Sequence, residues 1–235
     1  MNCLAHAVCY LDDTWFMLGA GLPDWLGMSD RSVRIRPKHV EPHMDGDDER
    51  ARLCRGIQQH WIDDGWFHKS AAFHEVTSRI GTRFREHCDA GDNFRSGFLG
   101  HIACELLIDG VMSENEPGLL DRYYDIVKRL DAERLQELVN GLGAKQTNRL
   151  PAFLSRYIRD AFLRDYVDDA KLLYRLNRVL ARVRLAPLPD SATDVIGEGR
   201  ELVRAALPQL ISPEMLAAAG FDSSVVDDAR SPDRK

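Results

Sequence analysis

The stretch Gly56–His68, GIQQHWIDDGWFH, continues a helical pattern that begins near Asp48. On a helix, His60, Asp64 and His68 recur every four residues, so they lie on one face about 6 Å apart along the axis. Two such side chains can bind one metal ion, and the third can reach a second ion or a substrate. Imidazole and carboxylate together suit zinc, manganese or iron better than calcium. A partly exposed polar helix face without a ligand is the alternative that this stretch leaves open.

A second row of polar residues has the same spacing. His101, Glu105 and Asp109 lie within the apolar stretch Gly97–Met112, GFLGHIACELLIDGVM, so the row is expected to point into the protein. Burying a histidine with two carboxylates is costly unless they are paired or bind a metal. Two matching rows therefore favour a metal site over a chance arrangement.

Two further candidate ligands lie near the N-terminus. His6 is in the middle of a short apolar helical pattern, residues 2–11, and a hydrogen-bonded core histidine is the alternative there. Asp24 follows Pro23 in a Gly-rich stretch that predicts a turn, after which Pro23 begins a new helical turn. Asp24 is then either a metal ligand or a carboxylate that stabilises that helix N-terminus.

The remaining patterns predict an all-α fold. Residues 29–48 are expected to form a surface loop in which His39 and His43 are solvated. Helical patterns follow at residues 70–88, 97–112, 119–142, 148–167 and 168–185, with one or two short helices over 191–219. No strand pattern is evident. We predict one helical domain over residues 1–221 and a disordered polar tail over 222–235.

Composition limits the function classes. The chain has 235 residues and a net charge of −6, which disfavours electrostatic binding to nucleic acid over a broad surface. It has no apolar run long enough to cross a membrane and no basic segment typical of a secretory signal, so we expect a cytoplasmic protein.

Its five cysteines form no CxxC pair and are expected to be reduced and mostly buried. Residues 156–184 are locally basic, which predicts either a solvated surface or a docking face for an acidic partner or phosphate.

Three blocks of the chain resemble bacterial acyl carrier protein phosphodiesterases in order and spacing, over roughly residues 1–110. The blocks are MNCLAH at residues 1–6, GAGLPDW at residues 19–25 and GIQQHWIDD at residues 56–64. The resemblance implies a helical bundle related to the HD-domain phosphohydrolases and a divalent metal, usually manganese. It implies hydrolysis of the phosphodiester that joins 4′-phosphopantetheine to the carrier protein serine. Its metal-site positions correspond to His6, Asp24, His60 and Asp64.

The chain departs from that family at four positions. His68 stands where the family has an aspartate. In the family's later Asp-x-x-x-Asp-His pattern, His101 and Glu105 replace the two aspartates and Leu106 replaces the histidine. The His-x-x-x-Asp and His-x-x-x-Glu pairs also resemble the all-helical zinc-dependent phospholipase C and nuclease group, whose members are mostly secreted and use a free N-terminus.

The favoured hypothesis is a metal-dependent phosphoric diester hydrolase with one or two ions of manganese, iron or zinc. The predicted ligands, expected to line one cleft between helices, are His6, Asp24, His60, Asp64, His68, His101 and Glu105. Of these, Asp64, His68 and Glu105 are the predicted catalytic residues, with His68 as a proton donor or a further ligand. Asp63 or Asp109 would orient a ligand histidine. The alternative is a non-catalytic helical protein that binds a metal or an acidic partner.

Overall fold

The computed structural model describes residues 1–87, 95–143, 145–222, 224, 225 and 227. The regular elements in these ranges are all helices, so the predicted all-α class is confirmed. Cys88 and most of the predicted tail, residues 222–235, lie outside the described residues. No helix within the described ranges is both long enough and apolar enough to cross a membrane.

Along the described part of the chain, the α-helices follow one another in a simple order, with three short 3-10 helices between them. The α-helices are α1 (Cys3–Ala7), α2 (Thr14–Ser29), α3 (Pro37–Val40), α4 (Glu49–Phe67), α5 (Ala71–His87), α6 (Ser96–Asn115), α7 (Leu119–Arg129), α8 (Ala132–Asn140), α9 (Leu150–Asp160), α10 (Asp169–Arg182), α11 (Ala192–Leu210) and α12 (Pro213–Ala218). The 3-10 helices are Val8–Tyr10, Glu41–His43 and Phe162–Val167.

The chain divides into two compact units. Unit 1 comprises residue 1, residues 3–65 and residues 118–161; unit 2 comprises residue 2, residues 66–117 and residues 162–235. The division falls within α4, between Gly65 and Trp66. This division does not test the prediction of one domain over residues 1–221, which stays a prediction.

In unit 1, α2 and α4 approach each other at two glycines. A Cβ atom on Gly19 would overlap the carbonyl oxygen of Leu53, and a Cβ atom on Gly56 would overlap the carbonyl oxygen of Phe16. The two backbones can touch because neither glycine has a side chain. This close approach places Ala20, the residue after Gly19, within hydrogen-bonding distance of His60, which lies one helical turn after Gly56.

In unit 2, α6 packs against α5 in a similar way, and α11 packs on both helices. A Cβ atom on Gly100 would overlap the carbonyl oxygen of Thr77. The apolar face of α5 is buried, with Phe73, Val76 and Ile80 at most 4% exposed. Because His101 follows Gly100, the close approach places its ring 5.0 Å from the ring of Phe73.

The structure corrects the predicted turn before Asp24. Pro23 lies inside α2, which continues to Ser29, so Asp24 is not at a helix N-terminus. The helix passes through Gly19, Gly21 and Pro23 because its apolar face is fully enclosed: Leu22 and Trp25 have no exposed surface. Tertiary burial thus outweighs the poor helix propensity of glycine and proline.

Other boundaries differ more modestly from the sequence pattern. The predicted loop over residues 29–48 contains α3 and a 3-10 helix, and the pattern over residues 119–142 is two helices. The second of these is capped by Asp131, whose carboxylate accepts a hydrogen bond from the backbone nitrogen of Arg134. The pattern over residues 148–167 breaks at Ala161, which has a positive φ of 38°. Local capping and a left-handed residue therefore set these helix ends.

Candidate metal centres

Of the seven predicted ligands, all except Asp24 occur in two groups of three. In unit 1, His6, His60 and Asp64 each offer a ligand atom, and these atoms lie within 4.8 Å of one another. In unit 2, His68, His101 and Glu105 do the same. We call these the His6 group and the His68 group. The prediction that all the ligands line one cleft stays a prediction.

In the His6 group, the ring of His60 is oriented by a backbone carbonyl. Its Nδ1 lies 2.9 Å from the carbonyl oxygen of Ala20. A carbonyl can only accept a hydrogen bond, so Nδ1 carries the proton. In the neutral ring, Nε2 then has a free lone pair, and it lies 3.4 Å from Oδ2 of Asp64. This is the tautomer that a metal-ligating histidine needs.

His6 is fully buried, and neither of its ring nitrogens forms a hydrogen bond of good geometry. Nδ1 lies 3.5 Å from Oδ2 of Asp63, and Nε2 lies 3.3 Å from Oδ1 of Asp64. The ring stacks on that of His60, with centroids 3.9 Å apart. A buried imidazole with two poorly satisfied nitrogens is costly unless it is paired with opposite charge or another ligand completes the site.

The carboxylates around His6 change its protonation. Burial alone lowers the pKa of His6, but the facing carboxylates of Asp63 and Asp64 and the charge of Asp24 outweigh burial and raise the pKa to about 9. Asp63 is itself held in place, because Nε2 of Gln59 donates a hydrogen bond to its Oδ1 at 2.8 Å. Oδ2 of Asp63 thus faces Nδ1 of His6, and the predicted role of Asp63 or Asp109 in orienting a ligand histidine stays a prediction.

Asp64 is the most exposed member of the His6 group, with 31% of its side chain accessible. Burial raises the pKa of Asp64, but its contacts with His6 and His60 and the nearby Met1 amino group outweigh burial and hold the pKa well below its usual range. The amino group of Met1 donates a hydrogen bond to Oδ1 at 2.7 Å. Solvent and a small ligand thus reach this group at its ionised carboxylate.

The distances from the two imidazoles to the Asp64 carboxylate are compatible with a shared transition-metal ion. Two ligand atoms each about 2.1 Å from an ion, at angles of about 90–110°, are about 3.0–3.4 Å apart. In the His6 group, the nitrogen-to-oxygen distances to Asp64 are 3.3 Å from His6 and 3.4 Å from His60. Two imidazoles and one carboxylate suit zinc, manganese or iron, and three protein ligands leave positions for water or substrate.

Asp24 is not a member of the His6 group. One of its carboxylate oxygens, Oδ2, accepts a hydrogen bond from the thiol of Cys3 at a distance of 3.7 Å. Its charge nevertheless contributes to the raised pKa of His6. The structure therefore places Asp24 near the group as a source of negative charge.

The His68 group is centred on one carboxylate oxygen. Nε2 of His68 and Nε2 of His101 each lie 3.0 Å from Oε1 of Glu105. Burial raises the pKa of Glu105, but these two histidines outweigh burial and hold the pKa well below its usual range. His68 lies one residue beyond the end of α4, so the predicted helical triplet extends only to Asp64. Two ring nitrogens and one carboxylate can either bind an ion together or form a His–Glu–His hydrogen-bonded set.

Asp109, the third member of the predicted row on α6, is not part of the His68 group. It is fully buried, and its Oδ2 accepts a hydrogen bond from the amide of Asn2 at 2.7 Å. Cys104 is also fully buried, and burial raises the pKa of its thiol far above its usual range, which disfavours a thiolate ligand. None of the described cysteines forms a disulfide bond, and of these only Cys9 is partly exposed.

Sequence reasoning missed two supporting groups of the His6 group. The first is the carbonyl of Ala20, which no side-chain pattern could reveal. The second is Gln59, which precedes His60 and lies four residues before Asp63. That i, i+4 spacing was a signal for their hydrogen bond.

The chain matches no protein-family model, and no curated protein or solved structure matches it either.

Proposed function

We propose that this protein is a metal-dependent phosphoester hydrolase of the HD-like type, with its metal ion held by His6, His60 and Asp64. The observation that carries the proposal is the burial of His6 with both ring nitrogens lacking a good hydrogen bond, beside an ionised carboxylate. Such an arrangement is explained if an ion occupies the space between these atoms. The resemblance of residues 1–6, 19–25 and 56–64 to acyl carrier protein phosphodiesterases supports the choice of phosphoester chemistry.

A divalent ion there would supply a nucleophile by lowering the pKa of a bound water, and positive charge for the phosphoryl oxygens. The protein's own part is to hold the ligands. Ala20 fixes the His60 tautomer, and Asp63, supported by Gln59, orients His6. Asp64 faces solvent, so a substrate would approach from its side.

In this proposal the His68 group holds a second ion, with His68 and Glu105 as its ligands together with His101. In the alternative in which His68 is not a ligand, it would serve as the proton donor to a leaving alkoxide, a role that suits its greater exposure than Glu105, 33% against 14%. The proposed substrate is a phosphodiester, with the 4′-phosphopantetheine ester of acyl carrier protein as the first to test. The proposed location is the cytoplasm.

The direct test is metal analysis combined with an activity assay. The protein is stripped with a chelator and reloaded with manganese, and hydrolysis of bis-p-nitrophenyl phosphate is followed. His60→Ala is expected to reduce both metal content and activity by more than about a hundredfold, since even loss of an outer partner costs about 10–100-fold. His43→Ala, in unit 1 but outside the His6 group, is the matched control and should leave both unchanged. A folded protein that binds no metal and hydrolyses no ester would contradict the proposal.

A second candidate function is a non-catalytic protein that binds an acidic partner. The observation in its favour is an exposed basic face on α10 that carries Lys171, Tyr174 and Arg178. Calorimetry with acyl carrier protein in the presence of a chelator separates the two functions. Metal-independent binding that is lost in Lys171→Gln/Arg178→Gln, without ester hydrolysis, would favour this second function.

A further inference from the structure

A basic segment, residues 31–40, borders a cavity of about 470 Å³ in unit 1. The segment contains three arginines and one lysine, and it has neither aspartate nor glutamate. In a chain with a net charge of −6, this is a local reversal of charge. The cavity would therefore attract an anion.

The lining of the cavity combines two kinds of side chain. Its cationic residues are Arg31, Arg34 and Arg36, and its apolar residues include Leu26, Val33 and Ile35. Cavities of about 300–1,000 Å³ with an apolar lining and a few charged groups are typical of small-molecule sites. The arginines would hold a charged group while the apolar residues contact an organic body.

The arginines are available to a ligand. Within the described ranges, neither Arg34 nor Arg36 has a carboxylate partner, and Nε of Arg31 donates only a long hydrogen bond, 3.4 Å, to the carbonyl of Gly27. The nearest acidic residue in the sequence, Asp30, is already engaged: its carboxylate accepts hydrogen bonds from Ser32 at 2.6 Å and from Thr147 at 3.1 Å.

The segment is also held in place at both ends. At its start, Val33 is 4% exposed and its backbone nitrogen donates a hydrogen bond to the carbonyl of Asp30 at 3.0 Å. At its end, the backbone nitrogen of Arg36 donates to Nδ1 of His39 at 3.2 Å, and Val40 is fully buried. An anion would thus meet a pre-formed site and would not have to order a loose loop.

We propose that this cavity binds an organic phosphate, with the phosphoryl group on the arginines and an apolar body against Pro23 and Ile35, which are partly exposed. Guanidinium groups match phosphate oxygens geometrically, and three of them suit a doubly charged phosphoryl group better than a single carboxylate. The binding needs no metal ion, so it is separable from the proposed hydrolysis.

The test is calorimetric titration of the full chain with hexyl phosphate in the presence of a chelator. The chelator removes metal ions, which could otherwise bind the phosphate themselves. Binding is expected at low salt and should weaken at high salt, because the arginines are exposed. Inorganic phosphate and hexanol, which each lack one half of the ligand, should bind more weakly. Arg34→Gln/Arg36→Gln should weaken hexyl phosphate binding by at least about tenfold.

The matched control is Arg129→Gln, an exposed arginine in unit 1 that does not line the cavity; its affinity for hexyl phosphate should equal that of the wild type. Circular dichroism verifies that the variants are folded, and the single variants provide a second measurement. Equal binding of inorganic phosphate and hexyl phosphate would overturn the proposal. So would an unchanged affinity in the double variant, or tighter binding of an acidic peptide than of hexyl phosphate.

Discussion

His60 donates its Nδ1 proton to the carbonyl oxygen of Ala20 across 2.9 Å, and this contact links helix packing to the candidate metal centre. The hydrogen bond exists because the backbones of α2 and α4 touch at two glycines. Gly19 lies one residue before Ala20, and Gly56 lies one helical turn before His60. The ring is thereby held with Nε2 towards Asp64. A change in the helix contact should therefore affect both stability and metal binding.

Gly56→Ala tests that link. The added Cβ atom would overlap the carbonyl of Phe16, so we expect the free energy of unfolding to fall by about 1–3 kcal/mol, the usual cost of overpacking. Metal affinity should fall as well, because the His60 ring would lose its fixed carbonyl partner. Urea denaturation and metal titration measure the two effects. Gly65→Ala on the same helix is the control: its Cβ would meet nothing within 4 Å, so it should stabilise the protein by about 0.5–1 kcal/mol.

Gln59→Ala tests the support of His6. Gln59 anchors Asp63, and without this hydrogen bond Asp63 would orient His6 less well. We expect the affinity for manganese or zinc to fall by about 10–100-fold, with little change in unfolding free energy. Gln58→Ala, one residue earlier on the same helix, should leave the affinity unchanged in the same titration. Equal affinities in the two variants would show that Asp63 does not act through Gln59.

Glu105→Gln tests the role of the His68 group. If the group binds an ion, loss of the carboxylate charge should remove that ion from the protein, as measured by mass spectrometry of the metal content. His74→Ala, an exposed histidine on α5, is the control and should keep the ion. An unchanged metal content in Glu105→Gln would identify the group as a hydrogen-bonded set without an ion.

Arg200→Met tests a buried ion pair in unit 2. Arg200 is 6% exposed and donates hydrogen bonds to Asp169, Glu114 and the carbonyl of Tyr166. Its removal leaves partly buried carboxylates without their partner, so we expect a loss of about 3–5 kcal/mol in urea denaturation. Arg204→Ala removes a 42% exposed partner of the same Glu114 and should cost less than about 1 kcal/mol. Similar losses in both variants would show that the burial of Arg200 does not determine how much unfolding free energy its removal costs.

Cysteine reactivity tests the burial of Cys54. Burial raises the pKa of this thiol to about 11, so almost none of it is thiolate at neutral pH. We expect iodoacetamide to modify the partly exposed Cys9 before Cys54, and to modify Cys54 only as the pH approaches 11 or when denaturant is added. Peptide mapping by mass spectrometry measures both sites. Rapid modification of Cys54 at neutral pH would contradict the buried position.

The amino-acid pattern by itself determined the helical class and most helices, because apolar residues at helical spacing must be buried on one face. It also identified six residues that the structure brings into two groups, since an i, i+4 spacing places His60 near Asp64 whatever the rest of the chain does. The family, substrate and metal that the resemblance implies stay predictions.

Only the tertiary structure decided which residues meet across the chain. The positions of His6 beside His60, and of His68 beside His101, depend on helix packing, which residue spacing does not specify. The same holds for Asp24, which the structure leaves outside the His6 group, and for Pro23, which it places inside a helix. Burial of whole helix faces outweighed the local turn signal there, and the free energy of burial is a property of the folded chain, not of a short segment.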